Sequence, residues 1–225
     1  MKPYHLYLVV GLSVLASCSP AKPGATPVPI TDQYSFAAQP WLADAYNCAG
    51  GNPILAEQRS AGYSDQQVDL SIRIGEPPVL SKPAYRIGTE QILVVVNRVT
   101  SITSLTEKQV KGLFSGQITD WSQIDPGKSG SVQVWVFPTG EDVQQIFEDT
   151  VLGGTPVTSL ARLANTPDEM SRAVADDQNA IGLLPQHWKA GNVTNVFAAA
   201  SVPVLAITSA QPPASVLRMV ICLQK

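Results

Sequence analysis

Few residues in this chain can do chemistry, and their spacing narrows what that chemistry is. Past the first 17 residues there is one histidine, His187, so a metal centre built on imidazoles has no partner ligands. No G-x-S-x-G turn is present to expose a nucleophile, and neither a P-loop nor a G-x-G-x-x-G occurs. An enzyme is therefore not expected, nor a cofactor. What remains is a set of hydroxyl, guanidinium and carboxyl groups. In VDLSIRI, residues 68–74, Ser71 and Arg73 stand two apart and share one face of a strand. Arg73 brings a cation to that face, with a surface salt bridge as its plain reading. Thr139-Gly140-Glu141-Asp142 opens a helix with a hydroxyl, a flexible amide and two acids. Acids in a first turn satisfy the helix's own amides and dipole and repel an approaching anion. Thr139 accordingly reads first as a cap working with Asp142. His187, beside Pro185 and Trp188, reads as a surface or core-edge residue.

The N-terminus carries a different chemistry. Lys2, an apolar run over residues 6–15 and then Leu15-Ala16-Ser17-Cys18 follow the order of an export signal with a lipobox. Residues 1–17 are expected to be removed and Cys18 to become a lipidated N-terminus, anchoring the protein on the extracytoplasmic face of the cell membrane. Residues 18–30 are rich in proline and read as an extended tether. Charged residues make up 15% of the chain and apolar ones 44%, so it is globular rather than disordered. The net charge of −3 supplies no basic face for nucleic acid. Two other cysteines, Cys48 and Cys222, suggest a disulfide in an exported protein, or else two buried thiols.

The positioning elements are punctuated clearly. Residues 104–124 hold a capping box, Thr106 with Gln109, then Val110, Leu113 and Phe114 on one stripe, then a stop at Gly116. Ile118 and Trp121 follow as anchors of a short extended corner. A short helix is expected over 40–46, with Trp41, Leu42, Ala45 and Tyr46 inward. Strands are expected at 53–59, 68–74, 85–88, 91–97, 132–137, 180–184 and 202–208. Helices are expected from Thr139 to Val151 with Val143, Ile146 and Phe147 inward, from Thr166-Pro167 to about Asp176, and over 214–223. This alternation points to an α/β fold with mainly parallel sheets.

The string SLTEKQVKGLFSGQITDWSQI closely resembles the segment opening the second lobe of phosphate-type solute-binding proteins of ABC importers. IGTEQILVVVNR (87–98) is similar to that family's crossover strand, QNAIGLL (178–184) to its returning strand, and VDLSIRIGEP (68–77) to its first-lobe ligand strand. The resemblance implies a two-lobed, type II periplasmic-binding-protein-like fold with two crossovers. Lobe 1 would be 31–95 plus 196–225 and lobe 2 would be 96–195, with a small solute between them and an ABC permease as partner. It places Cys48 and Cys222 in one lobe, where they are expected to be joined. The family grips its oxyanion from a Gly-Ser-Thr turn before the first helix, from the ligand strand, and from a Gly-Ser-Gly-Thr turn in the second lobe. Here the first turn is Thr31-Asp32-Gln33-Tyr34-Ser35-Phe36 and the second is Phe137-Pro138-Thr139-Gly140-Glu141-Asp142. The candidate ligand set implied is Ser35, Ser71, Arg73, Thr139, Gly140, Glu141 and Asp142. Its departures from the family pattern imply a degraded oxyanion site and weak binding of phosphate. For a cationic or neutral solute, Glu141 and Asp142 would be the partners. The alternative is a surface or sensing module that keeps the fold without transport.

Overall fold

The computed structural model describes residues 27–59, 68–188 and 191–225. The expected export signal, Cys18 and most of the proline-rich segment lie outside the described residues. In chain order the strands are β1 (Ile30–Tyr34), β2 (Ile54–Gln58), β3 (Leu70–Ile74), β4 (Ala84–Asn97), β5 (Gln133–Val136), β6 (Arg162–Leu163), β7 (Ala180–Pro185) and β8 (Val193–Thr208). The α-helices are α1 (Leu42–Cys48), α2 (Glu107–Phe114), α3 (Asp142–Phe147), α4 (Pro167–Asp176) and α5 (Ala214–Leu223). A 3-10 helix, Phe36–Trp41, leads into α1, and a π-helical turn, Glu148–Leu152, continues α3.

All eight strands join in the order β2-β1-β3-β8-β4-β7-β5-β6. Parallel pairs gather at the two ends, β1 with β2 and β3, and β5 with β6 and β7. The centre is an antiparallel ladder of the two longest strands, β4 and β8. The chain leaves the first lobe on β4, whose Ile92–Val96 half pairs with β7, and returns on β8, whose Val204–Thr208 half pairs with β3. These are the two crossovers of the expected α/β, two-lobed architecture. The lobe divisions at 95/96 and 195/196 fall inside β4 and β8.

β4 is one strand, although the sequence suggested two, 85–88 and 91–97, separated by Thr89-Glu90. The ladder to β8 runs through that stretch with a register shift between Arg86 and Gly88. Gly88 is required there because the Trp41 ring lies on it, and a Cβ would come 2.1 Å from a ring carbon. β8 likewise begins at Val193 rather than near residue 202, since its first half is held by β4 rather than by its own apolar pattern.

Local signals elsewhere act as read. Thr106 and Gln109 form a complete capping box, and Gly116 takes the left-handed conformation at φ 76°. Val110, Leu113 and Phe114 are fully buried, each such side chain contributing about 1.5–3 kcal/mol by burial. Phe114 meets Phe147 of α3 with ring centroids 4.6 Å apart. The corner at Trp121 is a 3-10 turn rather than extended, because Asp120 and Gln123 form a second capping box. Tyr46, expected inward, is 52% exposed: α1 begins only at Leu42, which turns Leu42 and Ala45 to the core and Tyr46 outward. Cys48, at the end of α1, is disulfide-bonded to Cys222 of α5, with Cα atoms 5.6 Å apart.

Candidate functional site

Three segments far apart in sequence meet at the lobe junction. They are the end of β1, the end of β3 and the start of α3. Ser71 and Arg73 are both buried on β3, whose register sets Gln33 of β1 against Ser71 and therefore on the same face as Arg73. Arg73 Nη2 donates to Asp142 Oδ1 at 3.0 Å, and the backbone N–H of Ile74 donates to Asp142 Oδ2 at 3.0 Å. Both oxygens of Asp142 thus act as acceptors, as in an ionised carboxylate. The pair is enclosed, with Arg73 7% and Asp142 4% exposed. Burial raises the Asp142 pKa, while the Arg73 charge, then the Ser35 hydroxyl and the Ile74 amide, pull it down. Ser35 is buried beside this carboxylate without a well-aligned hydrogen bond of its own.

Glu141 precedes α3, is buried, and leaves Oε1 without a hydrogen-bond partner. Burial, helped by the neighbouring Asp142 charge, pushes its carboxyl up to about 7. Thr139 and Gly140 are exposed on the β5–α3 turn, so the structure separates them from the buried cluster. The capping role expected of Thr139 is not made; the N-cap position belongs to Glu141, with no side-chain cap bond. Gln144 secures this turn instead. Its Oε1 accepts from the Phe137 N–H at 3.0 Å, and its Nε2 donates to Glu148 Oε1 at 2.8 Å. Of the sequence-derived candidates, Ser35, Arg73 and Asp142 are therefore brought together, with Glu141 next to Asp142 along the chain and Ser71 on the same strand face as Arg73.

Two buried polar residues of β1 escaped the sequence reading. Gln33 is 1% exposed and, among the described residues, neither its Nε2 nor its Oε1 has a hydrogen-bond partner. Asp32 is equally buried on the opposite face, its carboxyl oxygens lacking well-aligned donors, and burial pushes its pKa up to about 8. The signal was present in the run Thr31-Asp32-Gln33, too polar for a central strand unless it serves something other than the core.

His187 has a structural setting. Its backbone N–H donates to Oε1 of the fully buried Glu90 at 3.2 Å, and its Nδ1 stands 3.0 Å from Glu90 Oε2. The imidazole lies 4.8 Å from the Trp41 ring, which ties the loop after β7 to the 3-10 helix of the first lobe. Among the described residues no group of three His, Cys, Asp or Glu could hold a metal ion, and no helix is long and apolar enough to cross a membrane.

A guanidinium, a backbone amide and a hydroxyl thus stand beside two buried carboxyls at the lobe junction. A protein described as a phosphate ABC transporter substrate-binding protein, solved with bound phosphate, from Clostridium perfringens superposes with a TM-score of 0.77. It shares 16% identity, over 87% of this chain and 93% of that one. An ABC-type phosphate transport receptor from Vibrio cholerae superposes with a TM-score of 0.66 at 17% identity, covering 87% and 93%. The OxyR2 regulatory domain from Vibrio vulnificus gives 0.62 at 10% identity, covering 88% and 97%. At such identities these likenesses establish the fold alone. No curated protein sequence matches the chain. A sequence profile described as the PBP superfamily domain matches residues 81–215, from the loop before β4 into the start of α5, and on that match the chain belongs to the PBP superfamily.

Proposed function

We propose that this protein is a lipid-anchored, extracytoplasmic solute-binding protein of an ABC importer, with an oxyanion site degraded relative to phosphate-type binders. The observation that carries the reading is the meeting of Ser35, Arg73 and the α3 start at the lobe junction, the three places from which the family grips its solute. In this reading the lobes close on a small solute and the closed form docks on a permease. Cys18, lipidated, holds the protein at the membrane through the segment 18–30. Two acids now stand where a second-lobe hydroxyl turn would face the anion, and Thr139 and Gly140 point to solvent.

A second reading, a surface or sensing module that does not transport, is favoured by one feature. The best cation of the cleft, Arg73, is already paired with Asp142 of the same chain. A thermal-shift screen of the purified protein against oxyanions, amino acids, amines and sugars tests the first reading. A ligand that binds only the native state raises its melting temperature by mass action. Stabilisation by one class of solute supports binding; no stabilisation by any class favours the module.

A further inference from the structure

The contact between Asp142 and Arg73 can be read from the donor's side. A guanidinium N–H and a backbone N–H converge on one buried acceptor group, with a serine hydroxyl beside them. That donor set is what a desolvated free oxyanion requires. The group found there arrives from the other lobe, 68 and 69 residues along the chain from the residues that hold it. It also fills the donor set incompletely. Ser35 Oγ is left without an aligned partner, and Gln33 Nε2, on the same sheet face as Arg73, has none. A carboxylate offers two oxygens, whereas sulfate or phosphate offers four.

We propose that Asp142 is a tethered anion: its carboxylate occupies the oxyanion donors that remain, Arg73, the Ile74 amide and Ser35, and so excludes free anions from the cleft. This deepens the solute-binding reading and rests on it for the identity of the cleft. The loss of oxyanion binding is then a matter of occupation and is reversible by one substitution. Because the tether imposes a very high effective concentration, a free anion cannot compete with it in the unaltered protein. The contact also links β3 to α3 across the junction, holding the lobes together without a solute. Solutes admitted alongside it are those that bring no full negative charge to Arg73.

The test compares the full-length chain with Asp142→Ala, reading the melting temperature in sulfate or phosphate against chloride at matched ionic strength. The unaltered protein should not distinguish the salts. Asp142→Ala should be less stable in chloride and gain about 3–6 °C in sulfate, as expected for roughly tenfold saturation of a native-state site. Adding Arg73→Met to Asp142→Ala should abolish that gain. Asp142→Ser/Glu141→Gln withdraws the group from Arg73, keeps a small polar residue at the start of α3 and removes the second carboxyl, so it should show the gain if the alanine variant folds poorly. An anion-specific gain in neither variant, or failure of both to fold with or without sulfate, overturns the proposal. An equal gain in the unaltered protein overturns it too, because Asp142 would then mask nothing. The solute screen of the unaltered protein fails or succeeds separately, so the two readings are distinguishable.

Discussion

Asp32 should make the fold weaken as the solution turns from mildly acidic to mildly alkaline. An unfolded aspartate titrates near 3.8, and in the folded protein burial on the β1 face pushes the group to about 8. Below both values the carboxyl is neutral in both states and costs nothing. Between them the folded state holds a proton that the unfolded state has released, so stability falls as pH rises, and the loss is complete only above the folded pKa. Each pH unit in that window is worth about 1.4 kcal/mol, so on the order of 3–4 kcal/mol should disappear between about pH 5 and pH 8. For a chain of this size that corresponds to a fall in melting temperature of roughly 6–16 °C. Glu141, raised to about 7, slopes the same way, so the diagnostic quantity is a difference between proteins. Asp32→Asn preserves shape and removes the titration. Urea unfolding of both proteins at the two pH values measures the slopes. The variant should lose the roughly 3–4 kcal/mol that Asp32 contributes, keep the slope due to Glu141, and be the more stable protein at pH 8. Equal slopes in the two proteins would show that Asp32 ionises normally, through water or a donor that reaches it, and would refute the reasoning.

Three other outcomes are expected. Replacing Cys48 and Cys222 together by serine opens a crosslink spanning 174 residues, which the chain-entropy estimate values at about 5 kcal/mol, and calorimetry should show a melting temperature lower by roughly 10–20 °C. Gly88→Ala sets a Cβ against the Trp41 ring and should cost about 1–3 kcal/mol, read by denaturant unfolding together with a shift in tryptophan emission; an unchanged midpoint would mean that the ring has room to move. Cys18→Ser should release the protein from membranes or leave it unprocessed, and a correctly cleaved serine variant that still sediments with membranes would contradict lipid anchoring at this residue.

Sequence by itself determined what depends on neighbours along the chain. Thr106 with Gln109, Thr166 with Pro167, and Gly116 set helix ends because a cap or a left-handed turn is satisfied within a few residues. The stripe Val110, Leu113, Phe114 was legible for the same reason: its period belongs to one helix, whatever it packs on. That Ser71 and Arg73 share a face was legible from their spacing, but that they belong to a cleft with Ser35 and Asp142 came only through the family likeness. Tertiary structure decided the rest. β4 runs unbroken through Gly88 because β8 pairs with it and Trp41 covers it, and both partners are distant in sequence. Asp142 read as an acid serving its own helix, yet its hydrogen bonds go to Arg73 and Ile74 in the other lobe. Asp32 and Gln33 stood only in the segment aligned with the family's first hydroxyl turn, and packing closes over both without supplying well-aligned side-chain partners among the described residues. A carboxylate's role follows from which donors reach it and how much water is excluded, and both are set by contacts that close only when the two lobes come together.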